Sequence, residues 1–111
     1  MAGKTYFRWK HITSSTVAYG TGAAGSQGTD NTQKQVILHT ITINSGAAAA
    51  TFQVYDYNST SSPPAGQAVG GVITIPAGGL TSPTFMQYDV MMDIGITIIT
   101  SGTIDITICA A

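Results

Sequence analysis

The chain has 111 residues, enough for one domain with a sizeable core. Only 8% of them are charged and 43% are hydrophobic, which excludes a chain kept disordered by its charge. The single cysteine, Cys109, excludes an intrachain disulfide framework and reads as a small apolar residue.

The net charge of −1 hides an asymmetry. Residues 1–34 carry all four bases, Lys4, Arg8, Lys10 and Lys34, against Asp30 alone, for +3. Residues 35–111 carry Asp56, Asp89, Asp93 and Asp105 and no base, for −4. A basic leading segment on an acidic body suggests an arm that touches something acidic. Dispersed bases are a weak footprint for nucleic acid, and an acidic subunit surface fits at least as well. No run approaches the ~18 apolar residues of a membrane helix. Met1 to Thr16 lacks the apolar segment of a signal peptide, so synthesis in the cytoplasm is expected.

The segment Thr5–Ile12 is expected to be a strand, with Phe7, Trp9 and His11 on one side and Tyr6, Arg8, Lys10 and Ile12 on the other. Val17–Tyr19 adds a short strand. Gly20 to Gln33 is a polar, glycine-rich loop with too few apolar groups for a core, expected to be mobile or ordered by a partner. Residues 1–34 thus form an N-terminal arm plus loop, and residues 35–111 the core of a single domain.

Gln35–Asn44 is the first clear strand. Ile41 and Ile43 alternate with polar neighbours, whereas Val36-Ile-Leu38 breaks the alternation and implies a bulge or burial on both faces. Thr51–Tyr57 follows, with Phe52 and Val54 on one side and Tyr55 and Tyr57 on the other. Asn58 to Ala68 is a loop. Val69–Pro76 is a strand with Ile73 and Ile75 on one face, and Gly70-Gly71 reads as a bulge. Thr84–Met92 is a strand with Met86, Tyr88, Val90 and Met92 in register.

Two isoleucine runs then flank Thr100-Ser-Gly102. A hairpin with a three-residue loop would pair Ile98 with Ile104, Ile96 with Ile106 and Ile94 with Ile108. It would set Thr97 opposite Asp105 outside and use Gly102 in left-handed conformation. These C-terminal strands also look like long β-branched edges without a lysine to guard them, which favours a chain covered by neighbours in an assembly.

Thr and Ile, seventeen and thirteen residues, dominate, and no segment has a helical period. The fold class is therefore all-β: an antiparallel two-sheet β-sandwich of seven or eight strands. No motif places His11 or His39 beside a nucleophile, and His39 reads as a hydrogen-bonded sheet residue. Asp56, Asp89 and Asp93 sit where aspartate usually bonds backbone. Asp30-Asn31-Thr32, or Asp89 with Asp93, match no calcium loop, and no zinc spacing occurs. No enzyme, metal or cofactor is expected. Tyr55, Tyr57 and Tyr88, with Trp9, are candidates for core packing, a protein interface or a sugar-stacking platform.

The order Leu38-His-Thr-Ile-Thr-Ile-Asn44, Phe52-Gln-Val-Tyr-Asp56, Val72-Ile-Thr-Ile75, Tyr88-Asp-Val90, Gly95-Ile-Thr-Ile98 and Gly102-Thr-Ile-Asp-Ile-Thr-Ile108 resembles small head proteins of tailed bacteriophages. These are jelly-roll-like decoration, or cement, proteins on the outside of the capsid. The resemblance covers residues 36–109. It implies a virion location on the outer capsid surface, binding to the major capsid protein, and self-association as a homodimer or homotrimer. Tyr6, Phe7, Arg8, Trp9 and Lys10 are the expected capsid or intersubunit contact, on their charge and aromatic content. The rival reading is a carbohydrate-binding or tail-associated receptor-binding module that stacks sugars on Tyr55, Tyr57 or Trp9.

Overall fold

Eight strands in two antiparallel four-stranded sheets make up nearly all of the regular secondary structure in the computed structural model, which describes residues 8–20, 36–80 and 82–111. They are β1 (Arg8–Ile12), β2 (Thr16–Gly20), β3 (Val36–Gly46), β4 (Thr51–Tyr55), β5 (Ala68–Thr74), β6 (Thr84–Met92), β7 (Gly95–Ser101) and β8 (Ile104–Ala110). One 3-10 turn, Ala65–Gln67, precedes β5. The front sheet has the order β1-β8-β3-β6 and the back sheet β2-β7-β4-β5.

Four of the pairings nest: β1 with β8, β2 with β7, β3 with β6 and β4 with β5. This is one long hairpin rolled over on itself, the jelly roll. Only the β4–β5 connection stays within a sheet; the others cross the sandwich. The expected two-sheet sandwich is thus the observed fold.

Inward positions fill the core as the alternation demands. Leu38, Ile41, Phe52, Ile96, Ile98, Ile106 and Ile108 are fully buried. Each such side chain contributes about 1.5–3 kcal/mol of burial. The irregularity at Val36–Leu38 is a bulge. Between Leu38 and Thr40 the register of β3 shifts against both β6 and β8, so the inward set passes from Val36 and Leu38 to Ile41 and Ile43.

Four expectations change. Arg8–Ile12 and Thr16–Gly20, assigned to an arm, are the outermost strands of the two sheets, so the sandwich begins at residue 8. β7 and β8 do not pair: β7 lies between β2 and β4, and β8 between β1 and β3. Alternation assigns a residue to a face and leaves open whether two apolar strands lie side by side or face to face across the core. Gly102 does adopt a left-handed φ of 80°, but in the link between sheets, where a Cβ would stand 3.1 Å from Ala50. Thr97 does lie on the outer side of its strand, but in the row of Tyr55 and not opposite Asp105, and it is fully buried there because the chain after β4 covers it and the Tyr57 carbonyl accepts its hydroxyl proton at 2.7 Å.

Finally, β7 and β8 are interior strands, so the edges needing protection are β1, β2, β5 and β6. β1 and β2 are only five residues long. β5 is bulged at Gly70, φ 81°, and β6 at Asp89, φ 51°. Short or bulged edges resist open-ended strand pairing, and on β1 the exposed Arg8 and Lys10 add charge to the edge.

Candidate functional site

The outer face of the front sheet gathers most of the unusual side chains. The register sets Trp9, Cys109, Thr40 and Gln87 in one row across the four strands, and His11, Thr107, Thr42 and Phe85 in the next. Trp9 and Phe85 are 69% and 65% exposed, and Met91, farther along β6, is 57% exposed. Trp9 therefore stands at the β1 edge, and Phe85 and Met91 at the β6 edge. Between them Cys109, Thr107, Thr40 and Thr42 make a floor of short side chains without charge. Three large apolar groups on one sheet face are more than singly scattered surface residues require.

Two histidine–aspartate pairs frame this floor. His11 Nε2 lies 2.6 Å from Asp105 Oδ1, and the same oxygen accepts from Asn44 Nδ2 at 2.9 Å. Asn44 also donates to Thr107 Oγ1 at 2.9 Å. The Asn44 amide first, and the His11 hydrogen bond second, hold the Asp105 carboxyl below its usual range. At the β3–β6 bulge, Asp89 bonds His39 Nδ1 and accepts from Gln87 Nε2. Gln87 foremost, then His39, lower the Asp89 carboxyl likewise. His39 is thus a hydrogen-bonded sheet residue, as its position in an apolar strand suggests.

The two basic residues of β1 point the other way. Arg8 and Lys10 share their rows with the inward residues Ala110 and Ile108, but at the sheet edge they stay exposed. Lys10 Nζ sits 4.9 Å from the centre of the Tyr19 ring, spanning the opening between β1 and β2. Burial raises the Tyr19 hydroxyl, against a smaller lowering by the Arg8 charge.

The aromatic platform does not assemble. Tyr55 is on the outer side of the back sheet, its hydroxyl donating to Gln53 Oε1 at 2.9 Å. Tyr88 lies on the inward side of β6 against the core, and burial raises its hydroxyl. Trp9 stands on the outer face of the front sheet. Tyr57 lies past the end of β4, half-buried in the segment that covers Thr97. Of the N-terminal candidates, the structure places Arg8, Trp9 and Lys10 on β1; Tyr6 and Phe7 lie outside the described residues, as do 21–33 of the glycine-rich loop, Asp30-Asn31-Thr32 among them.

Phe85 and Met91 are surface residues that reading the sequence missed. Their signal was present: with Met86, Tyr88, Val90 and Met92 facing the core, alternation turns Phe85 outward. The bulge at Tyr88-Asp89 then leaves Met91 outward too. Asp56 bonds backbone, as its position past a strand suggests, but that of a turn far along the chain instead of its own. Its carboxylate accepts from the backbone N–H of Asp93 at 3.0 Å, Ile94 at 2.8 Å and Gly95 at 3.2 Å, fastening the β6–β7 turn to the end of β4.

Among the described residues no group of three His, Cys, Asp or Glu is placed to hold a metal ion, and no helix is long and apolar enough to cross a membrane. No family model matches the chain, and no curated protein sequence matches it.

Proposed function

We propose that the protein is a non-enzymatic structural module that decorates the outside of a bacteriophage capsid and bridges major capsid subunits. The observation that carries this reading is the uncharged floor between Trp9, Phe85 and Met91 on a double-sheet scaffold: a surface shaped for a broad partner. The rolled eight-strand topology, which recurs in viral capsid domains as well as lectins, is compatible with it. The resemblance of residues 36–109 to phage head proteins gives the partner. Fold alone does not choose among the functions that jelly rolls host.

In this reading the segment Tyr6–Lys10 leads the contact, with Arg8 and Lys10 at the open side of β1 meeting an acidic shell surface. Deleting residues 1–12 is a poor test, because it would strip β1 from β8. Reversing both charges, Arg8→Glu with Lys10→Glu, leaves the strand in place. Wild-type protein mixed with undecorated capsids is expected to sediment with them in fixed ratio to the shell protein. The double variant is expected to bind about tenfold more weakly or worse, and with a flatter salt dependence. Absence of wild-type binding, coupled with capture of a glycan on an array, would reject capsid decoration in favour of a carbohydrate-binding module.

A further inference from the structure

We propose that the two histidine–aspartate pairs are proton-operated fasteners, which hold the outermost strands of the front sheet, β1 and β6, onto their inner neighbours when the histidines are protonated. The chain has two histidines, and the strands of the front sheet carry two carboxylates. All four groups are used in these pairs, whereas the strands of the back sheet carry neither histidine nor carboxylate. Each pair bridges one outer seam of the sheet. His11 on β1 reaches diagonally to Asp105 on β8, and Asp89 on β6 reaches His39 on β3. The middle seam, β8 to β3, is bridged instead by the Asn44 amide, which does not titrate. The outer strands are also the ones that need fastening. β1 is five residues long and pairs on one side only. The β6 ladder is interrupted between Leu38 and Thr40, where the second pair sits and Asp89 takes a φ of 51°.

A neutral ring donates one N–H to its aspartate, from Nε2 in His11 and Nδ1 in His39. A proton arriving at the other ring nitrogen leaves that bond in place and makes it a charge-assisted ion pair. The groups around each ring favour that proton. Asp105 faces His11, with the neutral Asn44 and Thr107 behind it. Arg8 and Lys10 lie on the other side of β1, and Cys109 stands one row away beside Trp9. Asp89 faces His39 and is itself tied to Gln87. Cys109 is level with Thr40, Tyr88 turns inward, and the Ala111 oxygen accepts from the Ile37 N–H. Asn44 first and His11 second hold Asp105 below its usual range, and Gln87 then His39 do so for Asp89. Both carboxylates are therefore charged where imidazole titrates, at about pH 6.5. Closing a seam binds a proton, so by linkage the fastening is complete below the histidine range and is lost as pH rises through it. Solvent exposure limits each pair to about a two- to fivefold change in seam opening. Trp9 rides on β1, and Phe85 and Met91 on β6, so fastened edges hold these side chains in place for a partner. That last step rests on the proposed decoration function.

The experiment is amide hydrogen exchange of the full chain by NMR at about pH 5.5 and about pH 8, on either side of the histidine range, expressed as protection factors so that intrinsic exchange cancels. Amides of β1 and β6 are expected to lose protection about two- to fivefold at the higher pH, while those paired between β8 and β3 keep theirs. His11→Gln keeps a donor and takes up no proton, so it should abolish the change in β1 alone, and His39→Gln in β6 alone. Protection in β1 and β6 that ignores pH, or a dependence that survives the matching substitution, would overturn the inference. Undecorated capsids separate it from the decoration reading. Wild-type protein should bind them about two- to fivefold more tightly at the lower pH, and the variant with both substitutions equally at both. Equal wild-type binding at both, with responsive seams, would break the link to docking. Responsive seams in a chain that ignores capsids would reject decoration and leave the fasteners standing. Capsid binding by a chain whose seams ignore pH would do the reverse.

Discussion

Ile75 Cγ1 stands 2.8 Å from the point where a side chain on Gly46 would begin. Ile75 is buried, and its branched side chain has no room to swing aside. Gly46 pairs with Ile104 at the end of β3, so the isoleucine closes the core over bare backbone. Gly46→Ala is therefore expected to destabilise the fold by about 1–3 kcal/mol through overpacking, read as a lower urea midpoint with an unchanged slope.

The Asp56 carboxylate gathers three backbone N–H groups across the β6–β7 turn. Asp56→Ala removes all of those acceptors and leaves the half-buried N–H groups of Ile94 and Gly95 without this partner. The expected loss is about 1–3 kcal/mol. Asp56→Asn, which keeps one acceptor oxygen, should lose less. Hydrogen exchange at Ile94 and Gly95 should accelerate in the alanine variant ahead of the core amides.

Asp105 titrates below the usual carboxylate range chiefly because of Asn44. A carboxyl lowered in the folded state adds stability above its unfolded value, and that contribution vanishes as pH falls through the folded one. Stability should therefore decline below the ordinary carboxylate range. NMR titration should show Asn44→Ala raising the Asp105 midpoint more than His11→Ala does. An equal or larger effect of the histidine would reverse this order of causes.

Ile98 and Ile106 are both fully buried, but in opposite sheets. Truncating either to alanine is expected to cost about 2–5 kcal/mol. Their neighbours test the topology directly. Backbone NOEs should link Ile106 to Ile43 and Ile12, and Ile98 to Val54 and Thr16. Contacts of the Ile98 backbone with that of Ile104 would instead restore a β7–β8 hairpin.

By itself the sequence determined which side chains face inward. Ile41 with Ile43, Phe52 with Val54, and Ile96 with Ile98 repeat every second residue, and that period holds whatever lies beside the strand. The break at Val36–Leu38 announced its bulge for the same reason, and Gly102 its left-handed turn. Tertiary structure alone decided which strands are neighbours. β7 and β8 part company because each finds two partners in its own sheet, and their isoleucines bury as well across the sandwich as they would side by side. That choice turned the supposed arm into edge strands and scattered Trp9, Tyr55 and Tyr88 over separate surfaces. It also set Trp9 and Phe85 at opposite edges of one face. Alternation is a local property of the backbone, whereas strand order follows from long-range burial that no short window of residues contains.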